Sequence, residues 1–282
     1  MQEEVITIYC LCADFLSAWG VVDDTQSRMT TAEVMTVALV AAALFRGEHE
    51  KSRIFLREFG FIPPERMLSK GRFNRRLHAI DEALWQALFR ILADVHKAAN
   101  DGQEYVVDSM PAPVCDEYRI IRCRIYPLKE SNARPAGEGY RGRIACKRRY
   151  FYGVRVHLVI TATGRPVECV LAPGATADMR VLQHMQLDLP EGAHLFADPG
   201  YADYVQEDLM QEAGLHLIAA RKSRSKRPHP GWVEYICDHT RKRVETTFSL
   251  ISDMFARSIH AVTARGFELK VFLTVLAYSI TA

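Results

Sequence analysis

One change of rhythm constrains this chain more than anything else in it. Up to about residue 98, apolar residues recur at helical spacing. After Asn100-Asp101-Gly102, a turn signal, they alternate with the period of strands, and two strand-like runs end in an aspartate. The spacing predicts helices over 31–45, 50–59, 69–77 and 81–98. Thr30-Thr31-x-Glu33 supplies a capped start to the first of them, and Gly60 with Pro63-Pro64 closes the second. Beyond the turn it predicts strands over 104–107, 150–161, 167–171, 194–197 and 215–219. Helices are expected over 177–187, 203–213, 239–255 and 267–279. The order β, β, β, α, β, α, β, α, α is the layout of a ribonuclease H-like fold. The expected class is therefore mixed α/β: a helical domain over 1–100, then a ribonuclease H-like catalytic domain over 101–282. A basic insert, about 116–149, follows the first strand.

Composition narrows the function classes. Of 282 residues, 49% are apolar and 25% charged, the balance of an ordinary folded domain. The apolar runs 34–45 and 271–280 are too short to span a bilayer, which takes roughly 20 residues. Met1-Gln2-Glu3-Glu4 is acidic where a secretory signal is basic, so a cytoplasmic protein with no membrane partner is expected. Seven scattered cysteines without a CxxC pair suit reduced thiols. Gly137 to Gly142 matches the dinucleotide fingerprint, but it follows Pro135 rather than a strand and does not open a helix, so no nucleotide cofactor is expected.

The net charge of +2 conceals an asymmetry. Residues 1–105 hold 12 Lys and Arg against 15 Asp and Glu, whereas 106–282 hold 24 against 19. The excess is concentrated in 119–149, with ten basic and two acidic residues, and in 221–243, with eight and two. Both stripes read either as solvated loop surface or as polyanion sites, and aromatic residues interleaved at 147–152 favour phosphate binding. Arg72, Asn74, Arg75 and Arg76 stand on the third predicted helix. They fit either the reading element of a helix-turn-helix or the solvated face of a plain bundle.

Three acids carry the chemistry. Asp108 and Asp198 end predicted strands and Glu245 lies in a predicted helix, at separations of 90 and 47 residues. Singly, such acids are turn formers or surface ion-pair partners. Gathered on rigid elements they would supply the oxygen ligands that Mg²⁺ or Mn²⁺ prefers, and two such ions suit in-line displacement at phosphorus.

The segments Val107-Asp108-Ser109-Met110-Pro111, Lys147 through His157, Phe196 through Tyr201, Arg241 through Ser249 and Ile259 through Thr263 together resemble insertion-sequence transposases of the acidic-triad (DDE) type. The likeness is greatest to the compact insertion-sequence family numbered 982, and it extends to Leu68 through His78. It implies that Asp108, Asp198 and Glu245 are the catalytic, metal-binding triad, served by two Mg²⁺ or Mn²⁺ ions, and that Arg241 is the basic residue four positions before the glutamate. It implies double-stranded DNA as partner: the terminal inverted repeats of the element and a target, with a homodimer bringing two ends together. Arg72, Arg75, Arg76, Arg141, Arg143, Lys147, Arg148, Arg149 and Arg241 are then the expected DNA contacts. Two departures stand out. Pro199 removes a backbone N–H beside the second aspartate, which keeps alive an inactive copy acting as a DNA-binding regulator. Ser252 stands where many relatives carry a lysine, and Arg257 is the nearby base. A structure-selective, metal-dependent nuclease is the other alternative. His157, beside Arg155, is expected either to touch the reacting phosphate or to fill space beneath the acids.

Overall fold

The computed structural model describes residues 1–115, 117–128, 138–144, 148–256 and 258–282. Lys147 and Arg257 therefore lie outside the described residues, as do Gly137 of the dinucleotide-like run and much of the insert. The chain forms two compact units. One comprises 1–91, 251–260 and 268–282, the other 92–250 and 261–267. The first therefore recruits the C-terminal end of the chain as well as the N-terminal helices.

In the first unit, helices α1 (Gln2–Ala18), α2 (Thr31–Leu44), α3 (His49–Glu58), α4 (Lys70–Ala79) and the start of α5 (Glu82–Ala98) precede the returning part of α9 (Ala264–Thr281). The expected cap on α2 forms as a full capping box: Glu33 N–H donates to Thr30 Oγ1 at 3.1 Å, and Thr30 N–H to Glu33 Oε2 at 2.8 Å. Every residue from Ala32 to Ala42 is buried, so α2 is apolar on all sides because it is enclosed on all sides. By contrast α4 buries only Phe73 and Leu77 and exposes Arg72 and Arg75.

The second unit is built on a mixed sheet. Strands β1 (Glu104–Cys115), β2 (Arg141–Ile144), β3 (Arg149–Thr161), β4 (Pro166–Pro173), β5 (His194–Ala197) and β6 (His216–Ala219) run in the order β2-β3-β1-β5-β6, with β4 also paired to β3. Helices α6 (Asp178–Leu182), α7 (Tyr204–Glu212) and α8 (Gly231–Met254) alternate with the later strands. Several expectations change: α6 is shorter than the expected 177–187, and α8 begins at Gly231 rather than 239. The first strand continues past Asp108 to Cys115, because β3 pairs with it antiparallel along that whole length. The insert also contributes structure of its own, since β2 pairs with Arg149–Tyr152. The long β1–β3 ladder needs Gly153: a Cβ there would come within 2.3 Å of the Ala112 carbonyl oxygen. From Val156 to Thr161 both faces of β3 are buried, which marks a sheet covered on two sides. One face packs Tyr105, Val107, Val159, Leu195, Ala197 and Leu217 against Val181, Leu182, Tyr201 and Met210.

Candidate active site

Strand pairing brings the two aspartates together. β1 and β5 run parallel, with Val107 opposite Ala197 as the last paired step. Asp108 and Asp198 are the next residue on each strand, so they leave neighbouring strands about 4.8 Å apart, side by side on the same face. Asp108 is mostly buried and held by the Ser109 N–H at 2.7 Å. Burial is the main reason its carboxyl is pushed up to about 7. The charges of Asp198 and Asp178 push the same way, against the Ser109 N–H and the Arg241 guanidinium. Asp198 is raised too, again chiefly by burial.

Pro199 fits its place. Asp198 caps a short 3-10 turn, Pro199–Tyr201, and its Oδ1 accepts the Gly200 N–H at 2.7 Å. Proline at the first position of such a turn gives up an N–H that would have no partner within it, and its fixed φ suits the turn. The carboxylate is thus held by residue 200, and the missing N–H of residue 199 does not loosen it.

Helix α8 supplies the third side. Cys237, Thr240, Val244 and Thr247 form its buried stripe, and Arg241 stands at the edge with its charge acting on both aspartates. Arg241 Nε is buried without a hydrogen-bond partner among the described residues. Glu245 follows one turn later on the same side of the helix and is exposed to solvent. The described residues hold no ready-made group of three or more His, Cys, Asp or Glu spaced for a metal ion. The donor chemistry nonetheless fits one: two adjacent carboxylates, both driven toward protonation by burial and by like charge, form an all-oxygen site short of positive charge.

Two groups beneath the aspartates complete the geometry. His157, opposite Ser109 in the β1–β3 ladder, is fully buried; its Nδ1 lies 2.9 Å from the Tyr201 hydroxyl and its Nε2 has no hydrogen-bond partner among the described residues. Sequence reasoning gave no role to Asp178, which opens α6 and bonds Ser109 Oγ at 3.0 Å and Arg155 Nη1 at 3.3 Å. Its only sequence signal is an acid shortly after the hairpin, too common to select.

The basic residues divide. Arg141, Arg143, Arg148 and Arg149 are exposed on or beside β2 and β3, and Arg141 lies over the Tyr150 ring at 5.0 Å. Arg72 and Arg75 are exposed on α4. Arg76 is half-buried and pairs with Asp23 at 3.2 Å. In the second stripe, Arg221 forms two bonds to Glu207 and Arg227 two to Asp208, which ties both arginines into the fold.

Comparison with known families settles the relationship. Residues 100–280 match the family model described as transposase DDE domain. The chain belongs to that family. Its fold is shared by a solved piggyBac transposase in a synaptic complex with hairpin DNA: TM-score 0.51 and 10% identity over 99% of this chain and 71% of that one. No curated protein matches the chain. The matched region contains Asp108, Asp198, Glu245 and Arg241. No helix among the described residues is long and apolar enough to cross a membrane.

Proposed function

We propose that this transposase-family chain cuts phosphodiester bonds at the ends of a bacterial insertion sequence of the family numbered 982 and joins the freed 3′-hydroxyl strand to target DNA. The observation that carries the reading is the adjacency of Asp108 and Asp198 at the end of the β1–β5 ladder, with Arg241 and Glu245 one turn apart on α8. Asp108, Asp198 and Glu245 are the residues that would hold Mg²⁺ or Mn²⁺, in one or two ions. A divalent ion supplies charge neutralisation at phosphorus and a more acidic attacking hydroxyl or water.

The chain's own groups do the rest. Asp108 and Asp198 are fixed by backbone N–H donors from Ser109 and Gly200, so their oxygens are oriented before substrate arrives. The Arg241 guanidinium, with its unpartnered Nε, is suited to an oxygen of the reacting phosphate. Exposed Arg141, Arg143, Arg148 and Arg149 would track the duplex backbone, with Lys147 beside them in sequence. Arg72 and Arg75 on α4, joined by Arg76 where it leaves Asp23, would read the terminal repeat. Residues 1–100 are the proposed end-binding domain and 101–282 the catalytic one. Two ends must meet, so a homodimer is the proposed working assembly.

The test is binding and cleavage of duplex carrying the flanks of the gene. Nicks confined to the element ends support the transposase, cleavage independent of the repeat supports a nuclease, and binding without cleavage supports a DNA-binding regulator.

A further inference from the structure

Asp178 is positioned too deliberately for a surface acid. Its Oδ1 is gripped by Ser109 Oγ and Arg155 Nη1. Arg155 is itself fixed from several sides: Nη1 also donates to Ser109 Oγ at 3.1 Å, Nη2 to the Arg143 carbonyl at 2.7 Å and Nε to the Gly174 carbonyl at 3.2 Å. Asp178 and Arg155 are each only 21% exposed. The other carboxylate oxygen, Oδ2, lies across Gly200 from Asp198. A Cβ on Gly200 would sit 3.0 Å from Asp178 Oδ2 and 2.8 Å from Asp198 Oδ1, so both oxygens lie against the same backbone carbon, and only glycine leaves room for them.

An ordinary ion pair would leave Asp178 satisfied and electrically quiet. Here its charge is felt at Asp108 and at Asp198 alike. Three carboxylates thus lie within electrostatic reach of one another and of two guanidiniums, Arg155 and Arg241. Bringing like charges together out of water is unfavourable unless a cation joins them.

We propose that Asp178 is a further acidic residue of this site: clamped by Arg155 and Ser109, it directs its charge past Gly200 and strengthens the hold of Asp108 and Asp198 on a divalent cation. The inference rests on the metal-dependent reading given above and adds to it a residue outside the Asp108, Asp198 and Glu245 set.

The experiment is calorimetric titration of Mn²⁺ into the DNA-free full-length protein, with free Mn²⁺ followed by electron paramagnetic resonance. Asp178→Asn keeps an oxygen acceptor for Ser109 and Arg155 and removes only the charge. The expected result is a Mn²⁺ affinity about tenfold or more below wild type in a folded protein, with Asp178→Glu recovering part of the loss. If the asparagine variant does not fold, Asp178→Ser removes the same charge with a smaller side chain and carries the same expectation. Affinity unchanged in the neutral variant but lost in Asp108→Asn would overturn the role of Asp178 and leave the metal site standing. Absence of saturable Mn²⁺ binding in wild type would overturn both.

Discussion

Asp108 and Asp198 stand one step past the Val107–Ala197 pair, at the point where two parallel central strands part. Parallel pairing in the right register delivers both carboxylates to one end of the sheet, where ligands of such sheets are usually met. A one-residue slip of β5 would send Asp198 to the opposite face.

Gly200 is the most sensitive small residue in the site. Gly200→Ala places a methyl within 2.8 Å of Asp198 Oδ1 and 3.0 Å of Asp178 Oδ2, so one carboxylate must move. Cleavage is expected to fall by about a hundredfold, the usual effect of misplacing a catalytic group by about an ångström. End binding, measured by gel shift, should stay within about twofold.

The elevated Asp108 carboxyl links stability to pH. The folded chain keeps a proton, up to about 7, that the unfolded chain releases near 4. Stability of the metal-free protein therefore declines as pH rises through that window. Asp108→Asn, which keeps an acceptor for the Ser109 N–H, removes the effect. In EDTA its melting temperature should exceed wild type by a few degrees above pH 7 and converge with it near pH 4. Thermal scans across this range decide it, and a variant less stable at pH 8 would contradict the placement.

His157 works in the opposite direction. Burial, helped by the Arg155 charge, holds its imidazole down at about 4, while the unfolded chain titrates near 6.5. Its contribution is fully present above 6.5 and is lost as pH falls toward 4. Urea unfolding of wild type and His157→Phe at pH 7.5 and pH 4.5 should show a smaller acid loss in the variant. Its cleavage should persist at neutral pH, because the imidazole is fully buried beside the Tyr201 hydroxyl.

The exposed arginines of the insert predict salt dependence. Replacing Arg141, Arg143 and Arg149 by alanine should weaken binding to any duplex and reduce the slope of log affinity against log salt by about 0.9 for each phosphate that is no longer neutralised. Fluorescence anisotropy at several salt concentrations measures this. Weakening confined to the specific end sequence would assign these residues to base reading instead.

Much of this was legible from residue order. The capping box on α2 follows from Thr30 and Glu33, and β5 keeps its predicted bounds because a short apolar run between polar flanks leaves no other choice. The aspartates read as strand-ending acids, which holds for Asp198 but not for Asp108, inside β1; their register was not legible, since pairing is a long-range property. Helix α1 lacked a start signal: Met1 makes no side-chain cap, although Val5, Ile8, Cys12 and Phe15 carry helical spacing. β2 was hidden in a polar, arginine-rich stretch whose partner, Arg149–Tyr152, lies in the next strand. Asp178 was missed for the same reason, because its partners Ser109 and Arg155 are 69 and 23 residues away. The capture of Arg221 and Arg227 by Glu207 and Asp208 was equally beyond a count of charges.

The most direct measurement is a cleavage assay on labelled duplex carrying the flanks of the gene, with Mg²⁺ or Mn²⁺, comparing wild type with Asp108→Asn, Asp198→Asn and Glu245→Gln. The account predicts metal-dependent nicks at the element ends, reduced at least about a thousandfold in each variant while end binding persists. Undiminished cleavage in the Asp108 and Asp198 variants would contradict it.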